Sequence, residues 1–109
     1  MLVLGLTFKE NCPDLRNTRV VDIIDELKDY NIDVDVHDPW CSIKEAKSEY
    51  NIHLTEKPKT DAYDGIILAV GHSEFKALGS EKIRMYGKSE HVLYDLKYVL
   101  DKHNVDTRL

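Results

Sequence analysis

Two uninterrupted apolar segments dominate the pattern of hydrophobic and polar positions along the chain. The first extends from Leu2 to Thr7 and the second from Gly65 to Val70. Apolar runs of this length without alternation are typical of strands that are buried on both faces of a parallel sheet. A glycine inside such a strand, here Gly5, indicates that another backbone segment approaches closely. The two segments are therefore predicted to be central strands.

Three other segments have the composition of shorter strands. Ile32 to His37 alternates apolar and polar residues, which is the period-two pattern of a half-buried strand, and Asp38-Pro39 ends it. Ile52 to Leu54 and Val92 to Leu96 are short apolar segments that suit the same structure. Together with the central strands they predict about five strands.

Helical periodicity separates these strands. The clearest amphipathic helix has apolar residues at positions i, i+3, i+4 and i+7, namely Val20, Ile23, Ile24 and Leu27. We expect Asn17 or Thr18 to cap this helix and Asn31 to end it.

Later regions show weaker helical patterns. Ser42 to Tyr50 is predicted as a helix that its first residue caps, with Ile43 and Ala46 facing inward. Ser73 to Leu78 is predicted as a helical turn and Glu81 to Tyr86 as a short helix.

The alternation of strands and helices favours an α/β fold. Strands separated by helical stretches of about ten residues are typical of parallel sheets with right-handed crossovers. A chain of 109 residues has room for one such core. We predict that residues 1–109 form one Rossmann-like three-layer sandwich with a mostly parallel sheet of about five strands. The tail after Leu100 is polar and is predicted to add no strand.

Composition and charge exclude several partners. The net charge of −5 argues against nucleic acid. No apolar run approaches the ~18 residues that a membrane-spanning helix needs, so no membrane partner is expected. Two cysteines are too few for a small disulfide scaffold, and the N-terminus lacks the features of a secretory signal. A cytoplasmic location is the expectation.

Ligands of open α/β sheets bind outside the carboxyl ends of the strands. The segments to inspect are therefore those that follow the predicted strands: Thr7 to Arg19, Asp38 to Trp40, Gly71 to Ser73 and Asp95 to Tyr98.

Three ligand classes lack their motifs in these segments. A dinucleotide site needs Gly-x-Gly-x-x-Gly after the first strand, but Gly5 is followed by Thr7 and Phe8. The acidic pair with which a phosphoacceptor receiver domain holds a divalent cation is missing there as well. The five histidines lack the spacing of metal ligands and are expected at the surface. Asp38 is expected to form a turn before Pro39. No metal site and no cofactor site are predicted.

The predicted loop from Phe8 to Arg19 has the charges of an anion site. It places three cations near the N-terminus of the first helix, namely Lys9, Arg16 and Arg19. Backbone N–H groups and the helix dipole favour phosphate there, and the cations add charged hydrogen bonds. Phe8 is available to stack on a base. The alternative interpretation is that Arg16 pairs with Asp14 or Asp38 and only holds the loop.

Cys12 lies in the same loop, and a thiol near cations is a candidate nucleophile. No histidine is close to it in sequence, so packing is the preferred interpretation for Cys12. The same holds for Cys41 beside Trp40. No catalytic residue is predicted in this chain.

Five stretches of the chain together resemble a known family. They are Gly5–Thr18, Val34–Pro39, Asp61 through His72, Tyr94–Lys97 and Asp106–Leu109. Their sequences resemble the C-terminal, UDP-binding domain of the UDP-glucose/GDP-mannose dehydrogenase family. Within that family, the Asn-Cys-Pro-Asp form of the loop resembles the bacterial branch that oxidises UDP-N-acetylhexosamines, such as UDP-N-acetylgalactosamine or UDP-N-acetylglucosamine, for capsule or O-antigen polysaccharides.

The resemblance implies an NAD-dependent oxidation of the sugar C6 alcohol to a carboxylate. In that family an N-terminal Rossmann domain binds NAD, and a central helical segment supplies dimer contacts and the catalytic cysteine. Both would be absent from this chain, which is then a fragment without activity of its own, and the full-length protein would be a homodimer. Neither Cys12 nor Cys41 matches the family's catalytic cysteine.

The resemblance also implies roles for individual residues. Lys9 matches a lysine that contacts the nucleotide sugar, and Phe8 matches the aromatic residue beside the base. Asp14 and Arg16 match an Asp-x-Arg that shapes the loop or contacts the ligand. Many members have an arginine where this chain has Lys97-Tyr98, so Lys97 either replaces that contact or leaves it lost. The competing hypothesis is a stand-alone Rossmann-like module that binds a nucleotide or a protein partner without catalysis.

Overall fold

Strands and helices alternate along the chain in the computed structural model, which describes residues 1–97, 100–101 and 104–108. The elements in these ranges are β1 (Leu2–Leu4), α1 (Val20–Asp29), β2 (Asp35–His37), α2 (Ile43–Tyr50), β3 (Tyr63–Leu68), α3 (Ser73–Arg84), β4 (Gly87–Asp95) and β5 (Thr107–Arg108).

The strands of the described ranges form one five-stranded sheet in the order β2-β1-β3-β4-β5. All four neighbouring pairs are parallel. Val3 in the middle of β1 pairs with Val36 on one side and Ile67 on the other. From β1 the chain passes first to β2 at one edge and then back to β3, so the order reverses between β1 and β3. Open α/β sheets bind ligands at such a switch point.

Helices cover both faces of the sheet. Val3 packs with Val20 and Ile24 of α1 and with Ala46 of α2 on one face. The other face is covered by α3, whose buried side chains pack against β1, β3 and β4; they are Phe75 and Ile83. Because consecutive residues of β1 point to opposite faces, both sets of side chains must be apolar, which explains the uninterrupted run. The predicted three-layer sandwich with a mostly parallel sheet is confirmed.

The fifth strand is not the predicted one. Ile52 to Leu54 forms only an isolated bridge between Leu54 and Val36. The edge strand is Thr107–Arg108 in the polar tail. Asp106 holds this tail, because its carboxylate accepts hydrogen bonds from Leu93 N at 2.7 Å and Arg84 Nη1 at 3.1 Å. A two-residue strand fixed by polar contacts leaves no hydrophobic pattern in the sequence.

The helix ends differ from the predicted ones in three places. The N-cap of α1 is Arg19, although the Thr18 hydroxyl accepts a hydrogen bond from Val20 N. Ser42 caps α2 as predicted, but Ile43, which was predicted to face inward, is 49% exposed, and Ala46 is the buried residue of this helix. The two helical segments predicted around residue 80 form α3, which is broken at Gly79.

None of the helices in the described part of the chain is long and apolar enough to cross a membrane.

Candidate functional site

Three of the segments that follow the predicted strands meet at the carboxyl edge of the sheet. Thr7 follows β1, Asp38 follows β2 and His72 follows β3, and all three are at least 95% buried. His72 Nε2 lies 3.0 Å from Asp38 Oδ2 and 3.1 Å from Thr7 Oγ1. The structure thus confirms that these segments converge at the switch point between β1 and β3.

Asp38 is the central acceptor of this cluster. Its Oδ2 accepts hydrogen bonds from Leu6 N at 2.6 Å and Thr7 N at 3.0 Å, in addition to His72. Its Oδ1 accepts from Trp40 N at 2.8 Å, which is the turn expected before Pro39. The turn prediction is therefore confirmed but incomplete, because the same carboxylate also binds the end of β1.

Burial alone would raise the pKa of Asp38. The hydrogen bonds from His72, Leu6 N and Thr7 N outweigh this effect together and hold the pKa below its ordinary value of 3.8. The carboxylate is therefore ionised at neutral pH, in an environment where donors surround it.

The geometry around His72 assigns its tautomer. Its Nδ1 accepts a hydrogen bond from Asn11 N at 2.9 Å, so this nitrogen carries no proton. The ring proton is then on Nε2 and is donated to Asp38 Oδ2, with Thr7 Oγ1 as a second acceptor at 3.1 Å. Trp40 stacks on the ring at a centroid distance of 6.1 Å. The prediction that the histidines lie at the surface is wrong for His72, which the loop after β1 covers completely.

The loop above His72 is closed by its own hydrogen bonds. Phe8 N donates to Asp14 O at 2.8 Å, and Thr7 Oγ1 donates to Lys9 O at 3.2 Å. The Asn11 amide oxygen accepts from Ser73 N and Ser73 Oγ at the start of α3. Asn11 has a positive φ of 54°, which asparagine tolerates better than most residues. The loop is thus fixed to two strands and one helix.

Phe8 and Lys9 project from the outer side of this loop. Phe8 is 50% exposed, and Lys9 is exposed as well. A depression of about 430 Å³ at the N-terminus of α1 is lined by Phe8, Asn17, Thr18, Arg19 and Asp22. An aromatic ring, a guanidinium group and the Asp22 carboxylate therefore border one space at the N-terminus of a helix, whose dipole favours a phosphate.

Asp14 and Arg16 form an ion pair within the loop. Arg16 Nε and Nη2 donate to the two carboxylate oxygens at 3.1 Å each, and Arg16 N donates to Oδ1 at 2.8 Å. The side-chain hydrogen bond from Arg16 is the main cause of the lowered pKa of Asp14, and the charge of Lys9 adds to it. Of the two partners predicted for Arg16, the structure shows Asp14 and not Asp38.

The same ion pair borders a second, larger cleft between the loop and α2. This cleft measures about 780 Å³ and is lined by Cys12, Pro13, Asp14, Leu15, Arg16, Glu45, Glu49 and Tyr50. Tyr50 Oη donates a hydrogen bond to Leu15 O at 2.8 Å, which ties α2 to the loop. The predicted site residues are thus divided between two depressions, with Phe8 in the first and Asp14 and Arg16 in the second.

Lys97 lies beyond the carboxyl end of β4 and is exposed. Its backbone N donates to Asp95 Oδ1 at 3.1 Å, and Leu100 N donates to Asp95 Oδ2 at 2.8 Å. Asp95 is fully buried, and its carboxylate holds this turn through these two backbone hydrogen bonds. Tyr98, the other residue predicted here, lies outside the described residues.

The two cysteines lie in the described ranges and form no disulfide. Cys41 is buried, and burial, together with the charges of Asp38 and Glu45, raises the pKa of its thiol to about 12. Packing is therefore the role of Cys41, as predicted. Cys12 is half-buried at the rim of the larger cleft. Residues 1–97, 100–101 and 104–108 contain no group of three histidine, cysteine or acidic side chains that could hold a metal ion.

The lowered pKa of Asp38 predicts a specific loss of stability in acid. Its stabilising contribution is fully present above the unfolded value near 3.8 and disappears as the pH falls through the lower folded value. The difference in free energy of unfolding between the unsubstituted chain and Asp38→Asn should be constant from pH 7 to 5 and shrink below pH 4. Denaturant titrations at each pH measure it, and a difference that does not change with pH would contradict this assignment.

Reasoning from the sequence missed the pairing of Asp38 with His72 and the role of Asn11. One signal was present, because Thr7, Asp38 and His72 each stand at or just beyond the end of an apolar segment. Polar side chains at the ends of adjacent parallel strands have few partners besides one another.

Comparisons with known proteins agree with this geometry. The family model described as the UDP-glucose/GDP-mannose dehydrogenase family, UDP binding domain, matches residues 2–102. The chain is 64% identical to a UDP-N-acetyl-D-glucosamine 6-dehydrogenase of Pseudomonas aeruginosa and 54% identical to one of Salmonella typhi. Each alignment covers 100% of this chain and 26% of the relative. The chain therefore spans about a quarter of the length of these curated relatives.

Solved structures show the same fold. The UDP-D-ManNAc dehydrogenase of Pyrococcus horikoshii aligns with a TM-score of 0.73 at 21% identity, over 98% of this chain and 24% of its own. The UDP-glucose dehydrogenase of Pyrobaculum islandicum aligns with a TM-score of 0.73 at 26% identity, with the same coverage of 98% and 24%. The family match over most of the chain is decisive, and this chain belongs to the UDP-glucose/GDP-mannose dehydrogenase family, as its UDP-binding domain.

Proposed function

We propose that this chain binds the UDP part of a nucleotide sugar and is the C-terminal part of an NAD-dependent UDP-sugar 6-dehydrogenase. The observation that carries the proposal is the exposed pair Phe8 and Lys9 on a loop that buried side chains fix in place, with Phe8 lining the depression at the N-terminus of α1. The family membership and the two relatives described as UDP-N-acetyl-D-glucosamine 6-dehydrogenases support it.

Each group at the loop has a part to play in this proposal. The ring of Phe8 stacks on the uracil, while the ammonium group of Lys9 and the N–H groups of α1 bind the diphosphate. Arg19 adds a guanidinium group, on a side chain that is 90% exposed, whose ion pair with Asp22 is long, at 3.9 Å. Asp14 and Arg16 keep the loop in shape through their ion pair. Lys97 provides the basic contact from the end of β4.

NAD does not fit this domain at the turn after β1. A pyrophosphate at such a turn is held by backbone N–H groups close to the strand end. Here Leu6 N and Thr7 N already donate to Asp38, and Thr7 and Glu10 stand where the motif has its second and third glycines. We therefore place NAD in an N-terminal domain of the full-length protein, outside this chain.

The contribution of this domain to the oxidation is then binding energy. Contacts to the UDP, far from the reacting C6, orient the sugar and exclude water, while the nicotinamide and the catalytic cysteine belong to other segments. On this proposal the isolated chain is inactive. The substrate is a UDP-N-acetylhexosamine that is oxidised for a surface polysaccharide. The full-length protein is a homodimer, and its unpaired cysteines suit the reducing cytoplasm.

Replacement of Lys9 by alanine tests the proposal. The substitution should weaken UDP binding by about 1.5–3 kcal/mol, which is about tenfold to a hundredfold, because a charged hydrogen bond to the diphosphate is lost. Isothermal titration of the 109-residue chain with UDP, a UDP-N-acetylhexosamine and NAD measures the effect. Lys28→Ala is the matched control, because Lys28 is an exposed lysine in the last turn of α1, at the opposite end of that helix.

The outcomes separate the competing hypotheses. UDP binding that Lys9→Ala weakens and Lys28→Ala leaves unchanged supports the proposal. Binding of NAD in preference to UDP would contradict the assignment of this domain. UDP binding that neither substitution affects would remove Lys9 from the site.

A further inference from the structure

The buried imidazole of His72 contacts the backbone or side chain of two residues that flank Lys9. His72 approaches Thr7 Oγ1 at 3.1 Å on one side of Lys9 and accepts from Asn11 N at 2.9 Å on the other. The Thr7 hydroxyl in turn donates to the carbonyl oxygen of Lys9 itself. Residues 7–11 therefore form a short arch that carries Lys9. Its two end residues, Thr7 and Asn11, both contact the ring of His72.

The orientation of this ring is fixed from every side. Asp38 Oδ2 accepts the Nε2 proton at 3.0 Å, which leaves Nδ1 as the acceptor that faces the loop. Trp40 stacks on the ring at 6.1 Å, and Phe75 packs against it at 5.6 Å between centroids. A ring with both nitrogens bonded and two aromatic rings packed against it has one orientation and one tautomer.

A second anchor strengthens the Asn11 end. The Asn11 side chain accepts two hydrogen bonds from Ser73, at 2.9 and 3.0 Å, while its backbone N–H points to His72. Because His72 is the N-cap of α3 and Ser73 is its first residue, the start of α3 holds this end of the loop through two neighbouring residues.

We propose that His72 is a positioning residue for UDP binding, which acts through Nδ1 and Asn11 to hold Lys9 at the diphosphate. Asp38 has a separate task, because it fixes the tautomer that makes Nδ1 an acceptor. The inference rests on the function proposed above and adds a residue that has no contact with the ligand.

Two substitutions of His72 test the roles of its two nitrogen atoms separately. An asparagine amide oxygen can take the position of Nδ1 and keep the acceptor for Asn11 N, whereas a glutamine amide nitrogen can take the position of Nε2 and keep the donor to Asp38. His72→Gln should weaken UDP binding about tenfold and His72→Asn less than about threefold. The order of the two variants in thermal stability should be the reverse, because the buried carboxylate keeps its partner only in His72→Gln.

A double-mutant cycle tests whether the effect runs through Lys9. In the Lys9→Ala background, His72→Gln should weaken UDP binding by less than about twofold, because the group that it positions is gone. An equal loss in both backgrounds would overturn the proposal, and so would UDP affinities that merely follow the order of the melting temperatures.

Amide hydrogen exchange gives an answer that needs no ligand. The Asn11 N–H should exchange about tenfold faster in His72→Gln than in the unsubstituted chain, since one hydrogen bond is lost. Unchanged exchange would overturn the proposal even if UDP binds. If the unsubstituted chain fails to bind UDP, the proposed function fails, and so does the role in binding, while exchange still decides whether His72 orders the loop.

A third variant covers the case in which neither His72 variant folds. Thr7→Val keeps the shape of the side chain and removes only the hydroxyl that connects His72 to Lys9 O. It should weaken UDP binding about threefold to tenfold and lose that effect in the Lys9→Ala background. If Thr7→Val leaves UDP binding unchanged, the proposal that Thr7 and His72 position Lys9 would be contradicted.

Discussion

Asp38→Ala is expected to lower the free energy of unfolding by about 3–5 kcal/mol, a large share of the stability of a domain of this size. The substitution removes the acceptor of His72 Nε2, Leu6 N, Thr7 N and Trp40 N. Asp38 and His72 are both buried, so water cannot replace the lost partner without opening the loop.

Urea unfolding followed by circular dichroism measures this effect. Asp38→Asn keeps the shape and one carbonyl oxygen, so its loss of stability should be smaller than that of the alanine variant. Asp64→Ala is the matched control, because the Asp64 side chain is 81% exposed and, within the described residues, forms its one ion pair with Lys88 at 3.2 Å. An alanine variant of Asp38 as stable as the Asp64 control would refute the role given to the buried carboxylate.

The segments that border the candidate site could be predicted from the sequence, but the hydrogen bonds between them could not. The rule that ligands bind at the carboxyl ends of parallel strands is enough to select the segments around Thr7, Asp38 and His72 from the sequence. Which side chains pair depends on how the loop after β1 folds over them. The residues next to a histidine in sequence do not show whether a distant loop covers it. His72 was therefore expected to be exposed.

The fold was predictable to the extent that it depends on burial. β1 and β3 are buried on both faces and appear in the sequence as apolar runs, and α1 appears as a 3.6-residue period. β5 depends instead on Asp106, whose carboxylate binds Leu93 N and Arg84. Polar contacts of this kind carry no periodicity, and for that reason the edge of the sheet was assigned to the wrong segment.

The ion pairs and hydrogen bonds of the loop explain why the ammonium group of Lys9 remains available for a ligand. The buried carboxylate of Asp38 is fully used by His72 and by backbone N–H groups, so it does not pair with Arg16, for which it was one of the two predicted partners. Arg16 pairs with Asp14 at the surface instead. Lys9 is left on the arch with its ammonium group exposed. The loop thus separates the residues that fix its shape from the residue proposed to bind the ligand.

The path of this loop depends on Gly5, the first residue after β1. Gly5 has a φ of +101°, and a Cβ at this position would lie 2.6 Å from Val70 Cβ and 2.8 Å from Val70 N. The close backbone approach predicted for this glycine is confirmed. Gly5 N also donates to His37 O at 2.8 Å, so the strand leaves the sheet at a point fixed on both sides.

Gly5→Ala is therefore expected to lower the free energy of unfolding by about 2–6 kcal/mol, as the sum of backbone strain and an overlap with backbone atoms that cannot move aside. Thermal and urea unfolding measure the loss. The same substitution should weaken UDP binding, because Leu6 N and Thr7 N reach Asp38 only if the chain turns at Gly5.

Gly79→Ala provides the control that separates the two causes. Gly79 also has a positive φ, of +76°, but a Cβ there would have no atom within 4 Å. Its substitution should cost only the strain, about 1–3 kcal/mol, and should leave UDP binding unchanged because Gly79 lies inside α3, seven residues beyond His72. Equal losses of stability for the two variants would mean that the contact with Val70 contributes nothing. In that case the turn at Gly5 depends on its backbone conformation alone.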